Sequence, residues 1–193
     1  KNKEDVQLEA AAPKSEYLEI ILQAIESKSL LLFSYKSHYK EAEEIEFYPV
    51  FVRLCQHRWY VVGMNIKKNG VRVYAFERMQ DLRLVAYKHK VSHKINPTDF
   101  FAHSYGVLND EEPQLIKIRA FWPQNLYLKD LPLHHSQELL VETDEYADFE
   151  LYVRPTYDFV QALLAQREQL FVLEPVTLKN SIKETLTKML TRY

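Results

Sequence analysis

The sequence predicts an α+β chain in two parts: a helix leading into a small, strongly curved β-barrel, then a βαββαβ unit with a terminal helix. Three observations carry this. One amphipathic helix and about five short β-rich runs follow one another within about 75 residues, at a spacing suited to a barrel. An acidic run at 110–112 followed by Pro113 then breaks the pattern. Beyond it, strand-like and helix-like periods alternate, and 193 residues suffice for two small cores.

Taken in order, residues 1–14 are polar and Ala-rich and lack an initiator methionine; we expect a linker from an upstream module. The barrel domain is expected over 15–95. Ser15 is placed to cap a helix whose apolar face carries Tyr17, Leu18, Ile21, Leu22 and Ile25. Leu30 to Tyr35 reads as the first strand. Residues 45–52 form the next, split at Pro49, because proline in a strand requires an edge or a bulge. A hairpin over 58–79 follows, with Asn69-Gly70 predicting a two-residue type I′ turn. Leu82 to Tyr87 closes the set.

A connector is expected over 96–114, with Asn96-Pro97-Thr98-Asp99 starting a short helix at 100–106. The second domain, 115–193, reads strand (115–121), irregular or helical (124–131), strands (137–141, 149–154), helix (157–167), strand (170–173), helix (178–190). Thr156 stands at a cap position, and Leu178, Ile182, Leu186, Met189 and Leu190 recur at helical spacing in the last helix. That order is ferredoxin-like.

Charge is unevenly spread. The net is −2, yet residues 53–94 hold 10 basic side chains against only Glu77 and Asp81. A basic block inside an acidic protein points to an anionic partner, or else to a solvated positive face. No apolar run approaches the roughly 20 residues that span a bilayer. The single cysteine, Cys55, rules out an internal disulfide framework and fits a reducing, cytoplasmic setting.

The hairpin's second arm carries the functional clue. In a continuous strand Arg72, Tyr74, Phe76 and Arg78 share one face, while Val71, Val73, Ala75 and Met79 share the other, which is free to fill a core. Arg72 and Arg78 are expected to grip phosphate, with Tyr74 and Phe76 stacking bases. The alternatives are local ion pairs with Glu77, Asp81 or Glu46, and aromatics that simply pack. Trp59 is expected to be mainly core, while Tyr35, Arg58, His57 and Tyr60 complete the candidate ligand-binding set. No metal site is expected, since His134 and His135 are adjacent and lack partners at ligand spacing. HExxH, GxSxG, P-loop and GxGxxG patterns are absent, so no enzyme activity and no cofactor are expected. Ala120-Phe121-Trp122-Pro123 is expected to pack in a core, with an interface as the alternative.

Arg58-Trp59-Tyr60-Val61 followed by Arg72-x-Tyr74-x-Phe76-Glu77-Arg78-Met79 resembles the WYL domain, with Tyr35 and Pro49 at matching positions upstream. Val61, Phe76 and Glu77 stand where the family has Leu, Leu and Asp, and Glu46 stands near a commonly basic position. The C-terminal part, through Val172-Leu173-Glu174-Pro175-x-x-Leu178, resembles the extension that follows that domain. The resemblance implies an Sm-like, SH3-type barrel and the ligand-sensing region of a bacterial transcriptional regulator. It implies duplex DNA bound through an upstream helix-turn-helix domain and a homodimer, while the basic-aromatic stripe itself points to a nucleotide-like effector or single-stranded nucleic acid. A structural or dimerising role, with the basic stripe used in protein contacts, is the alternative.

Overall fold

The computed structural model describes residues 12–86 and 95–193. Residues 1–11 of the expected linker lie outside the described residues, as do Tyr87 of the last barrel strand and Lys88, Lys90 and Lys94 of the basic block. The fold is α+β, with two antiparallel sheets and five α-helices among the described residues. Residues 1–100 and 101–193 form two compact units. No described helix is long and apolar enough to cross a membrane.

In the first unit α1 (Tyr17–Glu26) buries Ile21 and Ala24 completely, while Leu22 stays exposed. Ser15 does not cap it; its hydroxyl donates to the Ala12 carbonyl instead. Strands β1 (Leu30–Tyr35), β2 (Glu43–Cys55), β3 (Arg58–Asn65), β4 (Gly70–Ala75) and β5 (Met79–Val85) make one sheet in the order β4-β3-β2-β1-β5. No ladder joins β4 to β5 among the described residues, so the sheet is open there.

β2 is one 13-residue strand, not the two segments expected from Pro49. The proline is absorbed by a bulge: the β2–β3 register shifts between Pro49 and Phe51, which bends the strand without ending it. Gly63 lies opposite Pro49, and a Cβ there would sit 2.1 Å from the Tyr48 carbonyl oxygen. Only glycine lets the two backbones approach so closely.

The hairpin turns differ from expectation in an informative way. Asn65 pairs with Gly70, leaving a four-residue loop of which only Asn69 has positive φ (45°). The Asn65 carboxamide nucleates that loop by accepting the Lys68 amide at 2.8 Å, a side-chain imitation of a backbone turn. The tight two-residue turn sits one hairpin earlier: Cys55 pairs with Arg58, and Gln56 and His57 both have positive φ (47° and 60°).

The larger correction concerns the arm 71–79. The strand stops at Ala75, Phe76–Arg78 make one 3-10 turn, and β5 begins at Met79. A 3-10 turn brings residues three apart onto one side, so Phe76 and Met79 both point inward, and both are wholly buried. Tyr74 is buried with them, whereas Val71 and Val73 are only half-buried. The aromatic face of β4 is therefore the core face, not the exposed one. Tyr74 sits amid Phe33, Tyr35 and Phe47 in edge-to-face contacts, with centroids 4.7–5.4 Å away. Trp59 stacks on Phe76 at 6.2 Å, half-buried against the same cluster.

Helix α2 (Pro97–Phe100) is only four residues, begun by Asn96, whose side chain accepts the Thr98 amide at 3.0 Å; residues 101–106 are turns and bends, not helix. In the second unit β6 (Gln114–Phe121), α3 (Gln124–Asp130), β7 (Glu138–Glu142), β8 (Tyr146–Val153), α4 (Tyr157–Ala165), β9 (Leu170–Glu174) and α5 (Val176–Leu190) follow in turn, and the sheet runs β7-β8-β6-β9. Alternation along β6 and β8 puts Ile116, Ile118, Ala120, Ala147, Phe149 and Leu151 in the core. Ala120 is buried, but Trp122 is 63% exposed, so the run 120–123 does not pack as a whole. Thr156 occupies the N-cap position of α4, yet its hydroxyl donates to Asp158. Asp158 also accepts the Val107 amide at 3.1 Å, tying the segment after Gly106 to the helix start.

Candidate functional site

Where β1, β2, the 66–69 loop and β4 meet at one end of the first sheet, an open cleft of about 230 Å³ is lined by Tyr35, Ser37, Lys40, Glu41, Glu43, Lys68, Arg72 and Tyr74. The register explains why. Val61 pairs with Tyr74 and Gly63 with Arg72, so Arg72 shares the inward face with Tyr74, one step nearer the sheet's end. Tyr74 falls into the core; Arg72 reaches solvent at the mouth.

The two phenols form the cleft's aromatic wall, their centroids 4.7 Å apart. Asn65, only 1% exposed, organises their chemistry. Its carboxamide oxygen is committed to the Lys68 amide at 2.8 Å, so its nitrogen must be the group 2.7 Å from the Tyr74 hydroxyl. Tyr74 therefore accepts from Asn65, and its own proton is left to donate into the cleft. Burial raises the Tyr74 pKa above the usual phenol value, against the Asn65 hydrogen bond and the charge of Lys68, so that proton is retained at neutral pH. Tyr35 likewise accepts a long hydrogen bond, 3.4 Å, from the Ala75 amide.

Of the three cations lining the cleft, Lys68 is held by Glu43 at 2.6 Å and Glu43 largely offsets its charge. Arg72 is different: among the described residues its guanidinium donates only to the neighbouring Val71 carbonyl, at 2.7 Å. Lys40 is exposed beside Glu41. The arrangement offers an acceptor-rich anion one bidentate fork, at least one phenol donor and two ring edges.

The eight residues singled out in the sequence divide into three groups. Tyr35, Arg72 and Tyr74 meet in this cleft. Phe76 is in the core with no exposed surface, and cannot stack a ligand. Arg78, Arg58, His57 and Tyr60 do not line the cleft. Arg78 is half-buried as the last residue of the 3-10 turn, so it does not share an exposed strand face with Arg72. Neither Arg72 nor Arg78 forms an ion pair among the described residues; Glu77 faces Arg58 at 3.6 Å, and Glu46 faces Lys67 at 3.6 Å. His57 sits exposed in the β2–β3 turn. Tyr60 is half-buried beside Arg58, and burial pushes its phenol pKa up while Arg58 opposes the shift. Sequence reading missed Asn65, Lys40 and Lys68. Asn65 at the start of the hairpin loop was the available signal, since Asn accepts a backbone amide two or three residues on.

Comparison with known proteins adds a family. No curated protein matches the chain. A solved structure of proteasome accessory factor B/C (PafBC) of Arthrobacter aurescens aligns over 94% of this chain and 28% of its own, at 18% identity and a TM-score of 0.43. The crystal structure of a CRISPR Cas-related protein aligns over 91% of this chain and 50% of its own, at 12% identity and a TM-score of 0.55. The chain thus spans half or less of either structure, and the second likeness is one of fold alone. The family model of the WYL domain matches residues 16–84, a span that takes in α1, β1 to β4, β5 up to Leu84, and the cleft.

Proposed function

We propose that the chain is the effector-sensing region of a transcriptional regulator, and that the Tyr35–Arg72–Tyr74 cleft binds an anionic effector, a nucleotide or a short single-stranded nucleic acid. Binding there changes the DNA affinity of a helix-turn-helix module upstream, in a cytoplasmic homodimer. The observation that carries the reading is Arg72, a guanidinium at the mouth of an aromatic-walled cleft with no carboxylate partner among the described residues. The WYL match supports the regulatory role. The strand order β4-β3-β2-β1-β5, with a 3-10 turn between the edge strands, supports an Sm-like reading of the first unit. The order β7-β8-β6-β9 supports a ferredoxin-like second unit acting as the WYL domain's extension.

The alternative, a dimerising role, is favoured by one observation. Edge strand β7 exposes Leu139, Leu140 and Val141 together, each at least 45%. The two roles are compatible in one regulator.

The test is fluorescence anisotropy with a labelled oligothymidylate and a set of nucleotides. Affinity should fall with salt, since polyanion binding releases condensed counterions. Arg72→Ala should weaken binding roughly tenfold or more, the worth of one charge-assisted contact of ~1.5–3 kcal/mol. Arg78→Ala should leave it nearly unchanged. Unaltered affinity in Arg72→Ala, with an unaltered melting curve, would remove the cleft from consideration.

A further inference from the structure

The second unit holds a larger cavity, about 300 Å³, between the end of α4, strand β9 and helix α5. Its wall is apolar, the Phe171 ring beside the aliphatic Leu163, Leu164, Leu170, Ile182 and Leu186. Its polar groups are all cationic, namely Arg167, Lys179 and Lys183, and no acidic residue lines it. Lys179 and Lys183 stand four apart on α5, where like charges repel and weaken the helix. Neither ammonium forms an ion pair among the described residues. Lys179 has only the Phe171 ring, 6.0 Å from its centroid, and Arg167 has only its exposed neighbour Glu168 at 3.3 Å. Roughly 300 Å³ is the lower end of the range for small-molecule sites, which are mostly apolar with a few placed polar groups.

We propose that this cavity binds a single-chain anionic amphiphile, a medium-chain carboxylate in chemistry, with its alkyl chain among the leucines and its head group at Lys179 and Lys183. A nucleotide does not suit it, because no hydrogen-bonding side chain other than the three cations lines the wall. An uncharged alkane would leave the lysine repulsion unrelieved. The site lies wholly within the second unit and is independent of the effector cleft.

Isothermal titration of the full chain with decanoate and with 1-decanol tests this. Decanoate should bind, and 1-decanol, with the same chain and no charge, should bind roughly tenfold more weakly. Lys179→Glu/Lys183→Glu should remove that preference, bringing decanoate to or below the level of 1-decanol. Ile182→Trp, which fills the cavity, should abolish binding of both with an unchanged circular dichroism spectrum. The proposal is overturned by absence of decanoate binding up to ~1 mM, by equal affinity for acid and alcohol, or by a charge-reversed protein that binds decanoate as before. A chain that self-associates through this face, with decanoate excluded, would assign the cavity to a second copy and overturn it too.

Discussion

Replacing Asn65 is the most exacting test of how the cleft is built. The side chain is 1% exposed and makes two hydrogen bonds, accepting the Lys68 amide at 2.8 Å and donating to the Tyr74 hydroxyl at 2.7 Å. Each such bond contributes about 1 kcal/mol net, and stranding a buried partner costs about 1–3 kcal/mol. Asn65→Ala leaves the Tyr74 oxygen without its donor, although the Lys68 amide, in a more exposed loop, recovers water. The expected loss is therefore about 2–4 kcal/mol. Tyr74→Phe removes one bond and leaves the Asn65 amide unsatisfied, at about 1–2 kcal/mol. Because the two changes share one bond, the double variant should lose less than the sum, by about 1 kcal/mol.

The assay is urea unfolding in a Trp122→Phe background. The chain has two tryptophans, Trp59 in the first unit and Trp122 in the second, so this background makes fluorescence report the first unit alone. Effector affinity should fall in both single variants, since both disturb the donor that Asn65 orients. Losses below ~0.5 kcal/mol that add without coupling would refute the network, and with it the claim that the Tyr74 proton faces the cleft.

Gly63→Ala should cost at least about 3 kcal/mol by thermal melting, because its methyl would lie 2.1 Å from a backbone oxygen and the β2 bulge has to open. Phe76→Ala should cost about 3–5 kcal/mol, whereas Arg78→Ala, two residues on, should stay near ±0.5 kcal/mol in chemical denaturation. For pH, burial raises the phenols of both Tyr60 and Tyr74 above the ordinary tyrosine value in the folded chain. Their contribution is whole below pH 10 and is lost as pH rises through the higher folded values, because only the unfolded chain then ionises. Stability measured by urea titration should fall above pH 10, and less steeply in Tyr74→Phe.

Much of this architecture was legible because its signals are local. The alternation of Leu115 to Phe121 and the recurrence of Leu178, Ile182 and Leu186 depend only on neighbours within a turn or two, and the elements lie within a few residues of where those patterns put them. What the sequence withheld is phase. Alternation along 71–79 names two faces but not which is inside, and the apolar Val71/Val73 side was the natural choice. Burial reverses it, because Tyr74 and Phe76 bring more apolar surface than two valines and Asn65 satisfies the one polar atom that Tyr74 carries inward. The 3-10 turn then shifts the phase by one step, which separates Arg78 from Arg72 although strict alternation groups them. The cleft follows the same logic. Lys40, Lys68 and Arg72 converge because the sheet and the four-residue loop bring the segment after β1, the 66–69 loop and β4 to one end. No spacing in the chain announces that convergence, since 32 positions separate Lys40 from Arg72 and the sheet alone brings them together. A binding site built on an inward aromatic, satisfied by a buried amide and opened by one arginine at its rim, reads in sequence as a stripe. Only the register shows that two of its four members are wall and core, and that one arginine is left at the mouth to meet a ligand.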